Sequence, residues 1–316
     1  MSMRQQSFLS LGPAGFHRVA YTDWGDEDNP QVVMCVHGLS RNSRDFDFLA
    51  AALQKDYRVV CMDVVGRGES DWLEDRSGYS FSTYLSDAAA LVARVTTPVS
   101  AGFLRESRAR CLDWVGTSMG GLIGMLLAAK RGSPIGRLVM NDVGPFVPWN
   151  GLVRLKGHLG RPRGFESLRM AGDFLREALA SFGPLTEPQW EHLIRHSVRR
   201  READGRWTLR FDPAIGQWNM QSDPELPIGP TFLRGVDLWT VWNAVSCPAL
   251  VLRGADSEVL LAATVEEMRR RKPDTQSAEF AGVGHAPALF DDAQIDAVRG
   301  FLKQRRSAQR QKKVTG

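Results

Sequence analysis

The stretch Cys111-Leu112-Asp113-Trp114-Val115-Gly116-Thr117-Ser118-Met119-Gly120-Gly121-Leu122-Ile123-Gly124-Met125-Leu126-Leu127-Ala128 constrains this chain more than any other. An apolar run ends at Val115, a Gly-x-Ser-x-Gly turn follows, and an Ala/Leu/Met/Gly-rich helical run begins. This order predicts a strand, a tight turn with a serine at its tip, and a helix. Gly116 and Gly120 leave room on either side of Ser118, whose strained backbone would hold Oγ clear of the sheet. The helix beginning here would bring its free amides and positive end close to that hydroxyl. The five-residue pattern alone would arise by chance roughly 0.2 times in such a chain, so its context has to carry the reading.

At 316 residues the chain has room for one large domain, or a core domain with a smaller insertion. Its formal charge of +4 is concentrated at the end, because Lys303 to Gly316 carries six basic residues and no acidic ones. The tail lacks interleaved aromatics, so it reads as a frayed helix end rather than a nucleic-acid arm. Cys35, Cys61, Cys111 and Cys247 fall in or just before predicted strands. They show no CxxC or Cys/His metal spacing, so neither disulfides nor a metal site is expected. Met1 to Gly12 holds no long apolar core, which argues against a signal peptide or membrane span and for a cytoplasmic protein.

In chain order, an early antiparallel strand is expected at Phe16 to Tyr21, and a buried strand at Val32 to Val36. A loop from His37 to Ser43 and a helix from Asp45 to Leu53 follow. The next strand, Tyr57 to Met62, runs into Asp63-Val64-Val65-Gly66-Arg67-Gly68-Glu69-Ser70, and Phe81 to Val95 has helical spacing. After the serine turn and its helix comes a strand at Arg137 to Asn141. This rhythm predicts a mostly parallel sheet covered by helices on both faces. It breaks between residues 146 and 245, where Phe165–Leu168, Asp173–Phe182 and Glu187–Arg201 read as helices and Trp207 to Pro213 as an extended piece. We expect this block to be an inserted, mainly helical cap. The core would then comprise residues 1–145 and 246–304, with 305–316 as a basic flexible tail. The second part has strands at Ala249–Arg253 and Gln276–Ala281, a helix around Leu260–Arg271, and a closing helix from Ala286 onward.

Four segments, in this order, resemble the α/β-hydrolase superfamily between about Phe16 and Leu302. They are His37-Gly38 after a strand, Asp63-x-x-Gly66-x-Gly68-x-Ser70, Gly116-Thr117-Ser118-Met119-Gly120, and Gly282-Val283-Gly284-His285 after the last strand. The resemblance implies the α/β-hydrolase fold, with Ser118 as nucleophile and His285 as its base. The oxyanion would be met by backbone N–H groups of Leu39 and Met119. A neutral serine hydroxyl is a poor nucleophile and needs such a base. The remaining histidines read otherwise: His37 as a shaper of the oxyanion loop, His158, His192 and His196 as surface or packing residues, and His17 as a strand residue with no partner in view. Many members carry the acid three residues beyond a glycine after the strand that follows the cap, but here that place is Ser257. Asp256 and Glu258 flank it. The alternative acid is Asp142, at the end of the strand after the serine helix, and we expect the acid there. Asn141-Asp142-Val143-Gly144-Pro145 also resembles the matching segment of one vitamin B6-degrading member, 2-(acetamidomethylene)succinate hydrolase.

These residues point to a serine hydrolase that cleaves an ester, lactone or amide through an acyl-enzyme. Carbon–carbon bond hydrolysis or cofactor-free perhydrolysis could use the same three residues, and a catalytically dead binding module is the alternative outside enzymes. A serine rather than an aspartate at the turn excludes the alkyl-enzyme chemistry of haloalkane dehalogenases and epoxide hydrolases. No cofactor or metal is expected, since His-x-His and His-Glu-x-x-His are absent and Gly66-Arg67-Gly68 lacks a third glycine. The partner expected is a small molecule, with no nucleic acid or membrane; the oligomeric state is open. Twelve Arg/Lys against seven Asp/Glu between Gly151 and Arg210, with Arg41 in the oxyanion loop, would suit an anionic substrate or simply solvate helix faces. Trp207, Trp218, Trp239 and Trp242 could wall an apolar pocket or pack in a core.

Overall fold

The computed structural model describes residues 3–97, 111–157, 164–217, 223, 226 and 234–304. In chain order the strands are β1 (Arg4–Gly12), β2 (Gly15–Trp24), β3 (Gln31–Val36), β4 (Arg58–Met62), β5 (Cys111–Thr117) and β6 (Ile135–Asn141). The short strands β7 (Phe146–Pro148), β8 (Gly164–Phe165), β9 (Val198–Arg200), β10 (Trp207–Leu209) and β11 (Gly235–Asp237) precede β12 (Ala249–Gly254) and β13 (Gln276–Phe280). The helices are α1 (Asp47–Leu53), α2 (Phe81–Thr96), α3 (Met119–Ala128), α4 (Trp149–Gly157), α5 (Leu168–Ala178), α6 (Glu187–Ser197), α7 (Trp239–Ala244), α8 (Ala262–Arg271) and α9 (Asp292–Lys303).

One eight-stranded sheet, ordered β1-β2-β4-β3-β5-β6-β12-β13, carries the fold. It is parallel from β4 through β13, while β2 joins β4 antiparallel and β1 forms a hairpin with β2. The period-two alternation of strands sorts the core into two layers. Met34, Trp114, Met140 and Val251 point to the face covered by α2, α3 and α8. Cys35, Val115, Val139 and Leu252 point to the face covered by α1 and α9. Both faces are therefore dry, which is why β3, β5 and β12 read as unbroken apolar runs.

Several boundaries depart from those the sequence predicts, each for a local reason. β1 has no counterpart among the expected strands: it is an edge strand whose Leu9 and Leu11 face outward, so its sequence carries no apolar alternation. Residues 165–167 are not helical: Phe165 pairs with Trp207 in a small sheet, and α5 starts at Leu168, capped by the Ser167 side chain. α6 stops at Ser197 because Val198 to Arg200 pair with β10. The closing helix begins at Asp292 under an Asp291 cap, and Ala286 to Phe290 form a buried loop instead. The residues read as a basic tail lie outside those described. Among the described residues, no helix is long and apolar enough to cross a membrane.

Trp114 is fully buried and donates its indole N–H to Gly120 O at 3.0 Å. The room for its ring comes from Gly124, where a Cβ would lie 2.3 Å from the indole nitrogen. Alanine is the better helix former by about 1 kcal/mol. Even so, Gly124→Ala should destabilise the protein by roughly 1–3 kcal/mol through overpacking, as measured by urea or thermal unfolding. A variant more stable than wild type would overturn this account.

Candidate active site

The turn at Ser118 is built from close backbone approaches. Ser118 has φ 52° and ψ −117°, a conformation that costs an L-residue on the order of 1–3 kcal/mol. Its N–H donates to Asn141 O at 2.9 Å, and its carbonyl accepts from Gly121 and Leu122 N–H, so the turn is fixed from both strand and helix. A Cβ at Gly116 would stand 2.2 Å from Gly120 O, and one at Gly120 would stand 1.9 Å from Val36 O. These contacts are why both flanking positions must be glycine.

His285 meets this serine. Its Nε2 lies 2.9 Å from Ser118 Oγ, and its Nδ1 lies 2.7 Å from Asp142 Oδ2. With Asp142 ionised, Nδ1 carries the proton and Nε2 accepts from the serine hydroxyl. Asp142 is fully buried at the end of β6 with φ 53°. Its Oδ1 accepts from Gly254 N–H at 2.9 Å, and its Oδ2 also accepts from Ser257 Oγ at 2.5 Å. The Ser257 hydroxyl oxygen itself accepts from Val259 and Leu260 N–H at 3.2 and 3.1 Å, so its proton is directed to the carboxylate. Asp256 and Glu258 are exposed on the cavity rim, and neither is the carboxylate at His285 Nδ1.

Two holding contacts leave no trace in the sequence. Ser181, between α5 and α6, donates its hydroxyl to His285 O at 2.6 Å and accepts from Gly284 N–H at 2.7 Å. The Asn141 side chain donates to Thr117 Oγ1 at 3.0 Å and Pro287 O at 2.8 Å, tying the serine turn to the histidine loop.

The His37-Gly38-Leu39 loop packs against the serine, with a Cβ at Gly38 falling 3.7 Å from Ser118 Cβ. His37 is a neutral clamp: Nδ1–H donates to Gly38 O at 2.7 Å and Nε2 accepts from Val64 N–H at 3.0 Å. Burial is the main cause that pushes it down to about 3, and the charges of Arg67 and Arg41 add to this while the bond to Gly38 opposes it. Gly38 O also accepts from Arg41 N–H at 3.1 Å. In a planar trans peptide the Leu39 N–H points opposite to that doubly held carbonyl. Met119 N–H opens α3 and is among the amides for which a helix has no carbonyl of its own.

A cavity of about 430 Å³ opens over Ser118 and His285. Among the described residues its apolar wall is formed by Phe174, Leu175, Leu179, Phe182, Leu209 and Phe211, and by no tryptophan. Trp242 is buried in the main core, Trp239 lies under Arg271, and Trp207 packs with Phe165 and Phe174; Trp218 is outside the described residues. Arg41 lines the cavity, but its guanidinium forms a two-point pair with Asp45 at 2.8 and 2.6 Å and donates to Ser197 Oγ at 2.9 Å. Arg176, Arg201, Arg206 and Arg210 pair with Glu187, Asp204, Glu166 and Glu69, so much of the basic excess is spent on surface ion pairs.

His192 and His196 face Asp47 across the α6–α1 contact, with one ligand-type atom from each within 4.8 Å of the others. Arg44 already provides the cation there, 2.5 Å from Asp47 Oδ2 and 3.2 Å from His196 Nδ1. His158 lies outside the described residues. His17, for which no partner was in view, forms a buried pair with Asp87 at 3.0 Å, seventy residues away in sequence.

A strained serine after a strand, a histidine and a buried acid in line, and helices on both sheet faces together define a class. The chain belongs to the alpha/beta hydrolase family, whose model matches residues 33–299, and it is a hydrolase. It is 42% identical over 295 residues to a 3-hydroxybutyrate-oligomer hydrolase of Cupriavidus necator, covering 92% of this chain and 95% of that one. It is 23% identical over 272 residues to 2-(acetamidomethylene)succinate hydrolase of Mesorhizobium japonicum, covering 86% and 87% of the two chains. The solved structure of an alpha/beta hydrolase from Novosphingobium aromaticivorans superposes with a TM-score of 0.78 at 32% identity, over 95% of this chain and 98% of the other.

The neutral His37 makes stability depend on pH in a definite direction. Its folded value is lowered from 6.5 to about 3, so between these values the unfolded chain binds a proton that the folded chain excludes. Stability should therefore fall as pH drops through that window, and His196, pushed to about 3 by burial and then by Arg44, acts in the same sense. Thermal melts between pH 7.5 and 4.5 should show a shallower acid slope for His37→Gln than for wild type. Equal slopes would contradict the assignment.

Proposed function

We propose that this hydrolase cleaves short carboxylic esters, neutral at the scissile segment, through an acyl-enzyme on Ser118, with oligomers of 3-hydroxybutyrate as the leading substrate class. The observation that carries the reading is the continuous hydrogen-bonded line from Ser118 Oγ through His285 to Asp142, at 2.9 and 2.7 Å. In this reading His285 Nε2 takes the serine proton as Oγ attacks the ester carbonyl, and Asp142 stabilises the imidazolium that forms. The carbonyl oxygen becomes an oxyanion opposite the N–H groups of Leu39 and Met119. The tetrahedral intermediate collapses, His285 returns the proton to the departing alcohol, and water repeats the sequence to release the acid.

Residues 146–245 act as the cap in this scheme, inserted between a core of 1–145 and 246–304. Among the described residues, the cap supplies the wall of Phe174, Leu175, Leu179, Phe182, Leu209 and Phe211. Such a wall suits a methylene-rich acyl group. Among the described residues the one arginine lining the cavity, Arg41, pairs with Asp45, and the rim carries Glu177, Asp256 and Glu258. A neutral ester segment fits those surroundings better than an anionic one, and solvation of helix faces is the better account of the basic excess. The similarity to a hydrolase of hydroxybutyrate oligomers, at 42% identity over nearly the whole chain, supports the same class here.

Ser118→Ala should abolish release of 3-hydroxybutyrate from its linear dimer and trimer while leaving the melting temperature unchanged. Asp142→Asn should lower kcat by on the order of 10⁴-fold, because the amide favours the wrong imidazole tautomer. Asp256→Asn and Glu258→Gln should retain most of the activity. Removing the donor at Ser257 by Ser257→Ala should lower kcat roughly tenfold, the scale of one charge-assisted hydrogen bond. If Asp256→Asn or Glu258→Gln lost as much as Asp142→Asn, the acid would be misassigned.

A further inference from the structure

The turn Asp63 to Ser70 places a charge that the scheme above does not use. Arg67 is fully buried, with an exposure of 0%. Its guanidinium donates to Leu39 O at 2.8 Å and to Val65 O at 2.7 Å, and lies 3.8 Å from Met119 Sδ. It faces the rings of Tyr84 and Tyr79 at 4.9 and 5.9 Å. Every one of these partners is uncharged, and among the described residues no carboxylate pairs with it. Carboxylates of the same neighbourhood make bonds of their own: Asp63 accepts from Ser43 and Glu69 N–H, Asp212 from Tyr79 OH and Ala214 N–H, Asp87 pairs with His17, and Asp223 accepts from Phe81 N–H.

Burying a cation without a counter-ion is costly, so the fold must hold it in place. The flanking glycines do this. Gly66 and Gly68 have φ of +84° and +57°, and a Cβ would fall 2.5 Å from the Tyr79 ring and 2.3 Å from the Asp63 carboxyl group, respectively. The turn is also stitched to residues 210–212 by Gly68 N–H to Arg210 O and Asp212 N–H to Gly66 O, each 2.8 Å. The two catalytically relevant residues that Arg67 touches, Leu39 and Met119, are those whose N–H groups face the oxyanion in the proposed reaction.

We propose that the positive charge of Arg67 stabilises the oxyanion formed at Leu39 and Met119, making Arg67 a positioning residue that also sets the field behind the oxyanion hole. This rests on the acyl-enzyme reading above. A neutral ester carbonyl gains little from the charge, whereas the tetrahedral anion gains fully, so the benefit falls on kcat rather than on substrate binding. The charge reaches the anion across the Leu39 peptide and the Met119 thioether from a fully buried guanidinium, where screening is weak.

The test compares Arg67→Met and Arg67→Gln, which remove the charge, with Arg67→Lys, which keeps it but gives up the planar fork. Thermal melts check folding. The probes are p-nitrophenyl butyrate turnover and inhibition by an alkyl trifluoromethyl ketone. That ketone accepts Ser118 Oγ at its carbonyl carbon, leaves the negative charge on its oxygen and passes the hydroxyl proton to His285. Expected are a roughly ten- to hundredfold loss of kcat in the neutral variants, an equal loss of ketone affinity, KM within about threefold of wild type, and Arg67→Lys nearer to wild type. A folded neutral variant with near-wild-type kcat, or one whose KM rises as much as its ketone affinity falls, overturns the proposal. If neither neutral variant folds, Arg67→Lys decides: ketone affinity kept within about threefold supports a role for the charge, and a hundredfold loss at unchanged melting temperature overturns it. Failure of Ser118→Ala to abolish turnover would instead strike the acyl-enzyme reading itself.

Discussion

Everything at the centre of this molecule depends on how closely three backbones meet beside Ser118. The end of β5, the start of α3 and the end of β3 approach until the Gly120 α-carbon has no space for a side chain beneath Val36 O. That contact lets the serine adopt φ 52° and face outward, and it brings the His37 loop alongside the nucleophile. The strain is local and small beside the burial of two apolar layers on the sheet. The sheet therefore sets the turn, not the reverse.

The groups around the serine are held as a chain of mutual restraints. Asn141 ties the serine turn to the histidine loop, Ser181 holds that loop from the other side, and Gly254 and Ser257 orient the acid. Each restraint comes from a different strand end or from the segment between α5 and α6. Pre-set geometry of this kind lowers the reorganisation needed when charge moves during a reaction. His37 contributes by staying neutral, since a second proton on its ring would leave Val64 N–H facing another donor.

The fold was legible in the sequence because its strands are buried on both faces and its turns carry glycines with a steric reason. Ser118 and His285 could be named through the resemblance that their motifs carry, with Asp142 the expected acid against Asp256 or Glu258, and the structure sets the three side chains within hydrogen-bond reach. What could not be read has equally physical causes. β1 presents an outward, nearly patternless edge, and the segment 198–200 switches from helix to strand because of pairing with β10, which no local propensity reports. His17 finds Asp87 seventy residues away, and Ser181 and Arg67 act through contacts with loops distant in sequence. Of the tryptophans that could either wall a pocket or pack, Trp207, Trp239 and Trp242 are the described ones, and all three pack.

The ends of β6 and β12 are neighbours in the sheet, and the first carries the carboxylate that meets Nδ1 of His285. Asp142 fills the place from one strand, and Ser257 comes within 2.5 Å of it from the loop after the other. Two ionised carboxylates at that distance would repel strongly enough for one to take up a proton. The two strand ends thus form a single seat for one negative charge, with a hydroxyl as its natural second occupant. A vacancy at one strand end then says nothing about whether the seat is filled, and the question must be asked of both ends at once.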